Sequence, residues 1–463
     1  MKNFKPLLLL IVPFMLIGCS GGSQTNSDGG VISSDGSITS ESSSEEEIIS
    51  EGDVSSDMEG IIPNEKGKKR YNVEAHFNDN YFAQSATVFN DDLKMLSFVT
   101  SVAANSESKT RDYYTAMGYK HIKAAFPNPT EDTIGYALAH KAAKDFDLYS
   151  VSVRGFNYGE EWANNVTIGK EGNHQGFEAR AKEIYNELDK FITDYTTTKP
   201  VKIWLTGYSR GGGVSNVLAS LLMNEESKIK TTKDDLFVYT FEAPRGLSEE
   251  NAVAYENVFN LINDGDLVTM IAPEVYGLFR CGTDVIINED KDVGALLKEF
   301  DDGLTIPEFV PIEDSYDNQK QYNQFVLNIL STDTGDEGTT LHTREKYVDN
   351  YEGSFAYFIG LYFTLPQSTI DKVINQVKTM DSSSAMGLIN SEDGFYNLVK
   401  PILDEDNISY DDAKLQSACG ALNKLAKAEM MLIFLLYANE GFMNNLKRSI
   451  YMHSIESVYV LIK

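Results

Sequence analysis

The sequence predicts an α/β fold, with a mostly parallel central sheet and a large helical insertion or cap toward the C-terminus. Three observations carry this. Val201, Ile203 and Leu205 alternate with other residues at strand spacing, and from Val214 the apolar positions Val214, Leu218, Leu221 and Leu222 recur at helical spacing. Further apolar runs at 147–153, 236–244 and 258–262 read as strands, with helical patterns between strands, which favours a parallel sheet. Beyond a last strand at 281–287 the pattern turns mostly helical, over an expected insertion of about 295–445.

The chain has 463 residues, enough for one large domain with insertions or for two domains. Its net charge of −29 argues against nucleic acid as a partner and against simple electrostatic attachment to anionic lipid. The first five residues carry lysines, residues 6–17 form an apolar core, and Leu16-Ile17-Gly18-Cys19 follows. This reads as a short secretory signal over residues 1–19, too short to span a bilayer. Its end resembles the lipobox of bacterial lipoproteins, which implies acylation of Cys19, an exported chain and attachment to a membrane through an N-terminal lipid anchor. Residues 20–70 are rich in Ser, Gly, Glu and Asp and nearly free of aromatics, so they are expected to form a disordered tether. The folded domain is expected over 71–463.

Within it, Tyr81, Phe82, Leu93, Leu96 and Phe98 predict helical packing ahead of the sheet. Residues 116–122 read as a helix end and strand start, and 133–140 and 147–153 as two adjacent strands. His121 and His140 fall in or beside these strands, where a structural role is the simpler reading. A helix opens near His174, with Phe177, Ala181, Ile184, Tyr185, Leu188, Phe191 and Ile192 as its apolar stripe. The elements at 201–222 bracket Gly207-Tyr208-Ser209-Arg210-Gly211. A Gly-x-Ser-x-Gly between a strand and a helix is the setting of a nucleophile elbow, where any side chain at 207 or 211 would crowd the turn. The helix that follows aims its backbone N–H groups at the serine, where an oxyanion would form. A phosphate cradle is disfavoured, since no Gly-Lys-Ser/Thr follows.

Arg154-Gly155-Phe156 after a strand, His174-x-Gly176-Phe177 before a helix, the elbow, Thr240-Phe241-x-Ala243-Pro244 and Asn263-x-x-Asp266-x-Val268 stand in one order. That series resembles the class 3 lipases, over about residues 132–284. The resemblance implies an α/β-hydrolase fold, Ser209 as nucleophile, Asp266 as the acid, and an oxyanion hole built from the backbone N–H groups of Phe156 and Arg210. Two positions depart from the family pattern: Phe156 replaces the usual Ser or Thr, and Arg210 the usual leucine. A serine hydroxyl needs an imidazole base, and the imidazole a carboxylate. In the Ser-Asp-His order of α/β hydrolases the base follows Asp266, which leaves His342 and His453. We take His453, whose surroundings resemble the terminal His-x-x-Glu segment of bacterial relatives, with His342 as the alternative. Asp264 is a rival acid, read more simply as a turn residue before Gly265.

Residues 333–337 are acidic but lack the spacing of a calcium loop. Residues 430–438 are apolar but too short to cross a bilayer. Cys281 and Cys419 allow either a disulfide or two buried thiols. No metal or organic cofactor is implied. The expected activity is carboxylic-ester hydrolysis, on an ester or lipid substrate, by a Ser-Asp-His acyl-enzyme route. The alternatives are a non-catalytic surface-binding lipoprotein on a hydrolase-like fold, or a peptidase or acyltransferase.

Overall fold

The structure is a computed structural model; it describes residues 51–59, 70–130, 132–155, 159–270, 274–313, 315–330, 343–428 and 440–463. Cys19, Phe156, His342 and the stretches 333–337 and 430–438 lie outside the described residues.

Seven strands form one sheet in chain order: β3 (His121–Ala125), β4 (Tyr136–Ala142), β5 (Asp147–Val153), β6 (Val201–Tyr208), β7 (Leu236–Phe241), β8 (Val258–Ile262) and β9 (Thr283–Ile286). β3, β4 and β5 pair antiparallel, and every pairing from β5 to β9 is parallel. This is the mostly parallel sheet of an α/β-hydrolase fold, with its helical region toward the C-terminus. The first two parallel crossovers are the helices α3 (Gln175–Tyr195) and α4 (Arg210–Met223).

The central strands are buried on both faces, so they read as nearly continuous apolar runs rather than as a polar alternation. What alternates is side-chain type. Ile203, Leu205, Leu236, Val238 and Val258 face α3 and α4 and meet Phe177, Ile184, Leu188, Val214 and Leu218. Trp204, Tyr208, Phe237, Tyr239, Phe241 and Phe259 face the other way, into a core with α1 (Asp91–Ala103), which supplies Leu96 and Phe98, and α2 (Glu107–Ala116), which supplies Tyr113 and Tyr114. There Phe82 stacks edge-on against Phe237 at 5.2 Å, Phe98 meets Phe241 at 5.3 Å, and the Trp204 indole N–H donates to Ser97 Oγ at 2.9 Å. The first face is mainly aliphatic; the second is aromatic, and its polar edges find partners.

One boundary differs from expectation. β1 (Glu51–Glu59) pairs antiparallel along its whole length with β2 (Arg70–Asn78), so the stretch read as a tether contains a paired strand. Val54, Ser56 and Met58 are buried at strand period, and Val54 and Met58 join the aromatic core. The acidic composition around them hides this short alternation.

The helical region follows β9. It comprises α5 (Val293–Phe300), α6 (Gln319–Leu330), α7 (Arg344–Tyr347), which runs through a π-helical turn at Val348–Glu352 into α8 (Gly353–Thr364), then α9 (Gln367–Thr379), α10 (Ser382–Asn390), α11 (Gly394–Glu405), α12 (Asp412–Ala428), α13 (Glu440–Met452) and α14 (Ile455–Ile462). Most of it has its own core, around Tyr351, Phe355, Leu403, Leu415, Leu425 and Phe442. α14 instead returns to the sheet, where Val458 and Leu461 enter the aromatic core. Among the described residues no helix is long and apolar enough to cross a membrane.

Candidate active site

The parallel strands β6, β7 and β8 end together, and the site sits at their carboxyl ends, where α/β sheets place ligands. β6 runs directly into Ser209, whose backbone stands at φ 51, outside the comfortable range of a residue with a side chain. The turn is over-determined. Ser209 N–H donates to Phe241 O at 2.8 Å, and Ser209 O accepts the Gly213 N–H of the first turn of α4 at 3.0 Å. A Cβ on Gly207 would lie 2.3 Å from Gly211 O, and one on Gly211 would lie 2.4 Å from Val153 O, so the elbow excludes side chains at both positions.

His453 occupies the short link between α13 and α14. Its Nε2 lies 2.8 Å from Ser209 Oγ and its Nδ1 2.5 Å from Asp266 Oδ2. All three side chains are buried. The carboxylate is an acceptor, so Nδ1 carries the proton and Nε2 is left to accept the serine hydroxyl. The second Asp266 oxygen accepts the Val268 N–H at 2.8 Å. Ser209, His453 and Asp266 thus form one continuous chain of hydrogen bonds, though 244 residues separate Ser209 from His453 in sequence.

Ordinary polar contacts dock the distant histidine. Tyr208 OH donates to His453 O at 2.7 Å, and Asn263 Nδ2 donates to Met452 O at 3.1 Å. Ser449 Oγ donates to Gly265 O at 3.0 Å and accepts the Leu267 N–H at 2.9 Å, fixing α13 to the loop that carries Asp266. Ser454 caps α14 through Ser457 N–H at 3.1 Å, which ends the link just after His453.

A second buried charge cluster begins at the residue after Ser209. Arg210 is 1% exposed; its guanidinium donates to Glu161 Oε2 at 3.1 Å and to Thr133 O at 3.3 Å. Arg154 donates to Glu161 Oε1. One fully buried carboxylate therefore ties the residue after Ser209 to the residue after β5. Between them the backbones nearly touch, since a Cβ on Gly155 would meet Tyr208 O at 1.9 Å. Sequence reasoning noted Arg210 as a departure from family pattern but not its partner Glu161, whose only signal is an acid among the apolar residues Trp162, Ala163 and Val166.

It also passed over Glu242, the variable position of Thr240-Phe241-x-Ala243-Pro244. Glu242 is fully buried beside Asp266 and His453. Burial, and then the Asp266 carboxylate beside it, push its carboxyl well above the usual carboxylate range. Glu242, Asp266 and His453 bring ligand-type atoms within 4.8 Å of one another. The hydrogen bonds from Asn263 N to Glu242, from Val268 N to Asp266 and between His453 and both Asp266 and Ser209 engage these groups as an acid–base chain rather than as a convergent ligand set.

The remaining candidates fall elsewhere. Asp264 accepts from Asn288 Nδ2 at 2.7 Å and pairs with Lys320 at 3.3 Å. His121 and His140 stack on each other at 5.7 Å across β3 and β4, and His140 pairs with Asp147 at 3.1 Å. Cys281 and Cys419 are free and buried, and burial pushes each thiol up to about 12. No disulfide joins them.

Residues 150–276 match the family Lipase (class 3), a span that holds Ser209 and Asp266 but ends well before His453. No curated protein matches the chain. Among solved structures it is similar to a fungal lipase–inhibitor complex described as a model for interfacial activation in lipases, at 18% identity and TM-score 0.34 over 42% of this chain and 80% of that one. It is also similar to a Rhizomucor miehei lipase in complex with its propeptide, at 20% identity and TM-score 0.33 over 44% and 70%. A third likeness is to lipase II from Rhizopus niveus, at 15% identity and TM-score 0.29 over 44% and 78%.

Proposed function

We propose that this protein is a serine hydrolase of carboxylic esters, a lipase or esterase, working through an acyl-enzyme. The observation that carries the reading is the buried chain Ser209–His453–Asp266, set on a strained turn at the N-terminus of α4. The match of residues 150–276 to Lipase (class 3) supports the ester class.

The chemistry follows from the contacts. His453 Nε2 takes the Ser209 proton as Oγ attacks the ester carbonyl, forming the C–O bond and moving the carbonyl electrons onto oxygen. That oxyanion is received by the backbone N–H of Arg210, with the N–H of Phe156 as the second donor that the family resemblance implies. The imidazolium is stabilised by Asp266 and returns its proton to the departing alcohol as the tetrahedral species collapses to the acyl-enzyme. Water, deprotonated by the same nitrogen, then releases the acid and restores the serine.

Ser209→Ala tests this directly. The folded variant loses p-nitrophenyl ester hydrolysis by roughly 10⁴-fold or more and no longer takes up a fluorophosphonate probe. Near-wild-type turnover in that variant would exclude Ser209 as nucleophile. Turnover of peptides in preference to esters would move the protein to the peptidase class.

The N-terminal signal and Cys19 further support an exported enzyme held to the bacterial membrane by acyl chains, facing outside the cytoplasm. Palmitate labelling should depend on Cys19; equal labelling of wild type and Cys19→Ala would remove the anchor.

A further inference from the structure

β6 and β7 are neighbours, paired through Tyr208 and Phe241, and each is followed at once by a left-handed residue: Ser209 at φ 51 and Glu242 at φ 48. Left-handed backbone is cheap for glycine and tolerable for asparagine or aspartate, but unfavourable for glutamate. At Ser209 this conformation presents the nucleophile. At Glu242 it turns a carboxyl inward, to the same buried site.

There the Asn263 N–H donates to the carboxyl, at 3.0 Å from Oε1 and 3.2 Å from Oε2. Asp266 and the His453 ring stand close by, with ligand-type atoms of the three groups within 4.8 Å of one another. Asp266 already accepts from His453 Nδ1 and from Val268 N–H. Two carboxylates beside one neutral imidazole, all out of water, would repel each other without compensation. One proton held between the carboxyls removes that repulsion. Asp266 is the partner facing the imidazole, so the proton belongs on Glu242.

We propose that Glu242 is a positioning residue for the reaction: a neutral carboxylic acid that donates a hydrogen bond to the Asp266 carboxylate and, through the Asn263 N–H, ties the acid's loop to the end of β7, so that Asp266 stays aimed at His453. The proposal rests on the Ser209–His453–Asp266 reading of the site. No proton leaves Glu242 during turnover. Its neutrality means that the imidazolium forms opposite one negative charge rather than two, which keeps His453 free to give its proton back. An ionised Glu242 would hold that proton on the ring and weaken the base at neutral pH.

Two variants of the whole protein separate this from a merely structural role. Glu242→Gln keeps the shape, the neutral charge and a donor toward Asp266. Glu242→Gly relieves the left-handed backbone and deletes the carboxyl, so a loss of activity in a protein that keeps its melting temperature is not a strain effect. On p-nitrophenyl butyrate, kcat/KM of Glu242→Gln stays within about threefold of wild type with its acidic limb at the same pH, whereas Glu242→Gly falls by up to about a hundredfold, mostly in kcat. The proposal is overturned if the acidic limb of Glu242→Gln moves down by about one pH unit or more, which identifies an ionised Glu242. Full activity in Glu242→Gly overturns it as well. The His453 ring titration, followed by NMR in labelled wild type and Glu242→Gln, needs no substrate. If the wild type hydrolysed no ester, the hydrolase reading would fail while the ring titration still decided the charge of Glu242.

Discussion

Ser209 adjoins two buried clusters of three ionisable side chains, and they differ in kind. One holds His453, Asp266 and Glu242; the other Arg154, Glu161 and Arg210. The first cluster can exchange a proton at ordinary pH, because an imidazole sits against carboxyls. The second cannot, because guanidinium groups stay charged across that range. Two such groups against one carboxylate leave a fixed positive excess next to the backbone N–H of Arg210. Titratable and permanent charge are thereby kept in separate clusters beside Ser209.

Breaking the mobile cluster has the largest expected effect. His453→Ala should lose ester hydrolysis to the level of Ser209→Ala, roughly 10⁴-fold or more, while His342→Ala keeps most of it. Parallel assays on a short-chain ester decide between the two histidines; the reverse outcome would hand the role of base to His342.

Breaking the fixed cluster should act through stability first. Glu161→Gln preserves shape but leaves Arg154 and Arg210 facing each other in a dry site. Removing one partner of a buried ion pair costs about 3–5 kcal/mol. Calorimetry should show a lowered melting temperature, with reduced activity in what remains folded. An unchanged melting temperature would mean that this cluster does not hold the elbow to β5.

The two clusters also differ in how far they were legible in the chain. Ser209 is announced locally, by strand period, paired glycines and helical period within twenty or so residues. Asp266 is picked out by the family resemblance of Asn263-x-x-Asp266-x-Val268. Chain order leaves His342 and His453, and only the resemblance of the terminal His-x-x-Glu segment favours His453, because α13 and α14 fold back to the sheet from the far end of the helical region. Glu161 and Glu242 are single acids within apolar sequence. Each is explained only by partners in other elements: Glu161 by Arg210 49 residues away, Glu242 by Asn263 21 residues away. Period-based reading detects faces and cannot detect such pairs. β1 escaped for a related reason: its alternation at Val54, Ser56 and Met58 covers too few residues to outweigh the acidic composition around it.

The smallest effect expected comes from a histidine that shares burial with His453 and differs in its neighbours. His174 caps α3, where its Nδ1 accepts the Phe177 N–H at 3.4 Å and its Nε2 donates to Asn165 O at 3.2 Å. Burial chiefly, then Arg344 and Arg210, push its pKa down to about 3. Arg344 and Arg210 oppose a proton on His174. The unfolded chain binds that proton near pH 6.5, and the folded protein does not until about pH 3. Between those values the unfolded state holds more protons, so stability rises with pH and is lost as the pH falls. From pH 6.5 to pH 5 the loss is about 2 kcal/mol. The raised Glu242 carboxyl works the other way, since the folded state then holds the extra proton and stability falls as pH rises above the usual carboxylate range. Comparison with His174→Asn cancels that term, because asparagine keeps a helix-capping acceptor and does not titrate. Denaturant unfolding of both proteins at pH 7 and pH 5 should show the wild type losing about 2 kcal/mol more than the variant. Equal losses would show that Arg344 and Arg210 leave His174 free to take up its proton without unfolding.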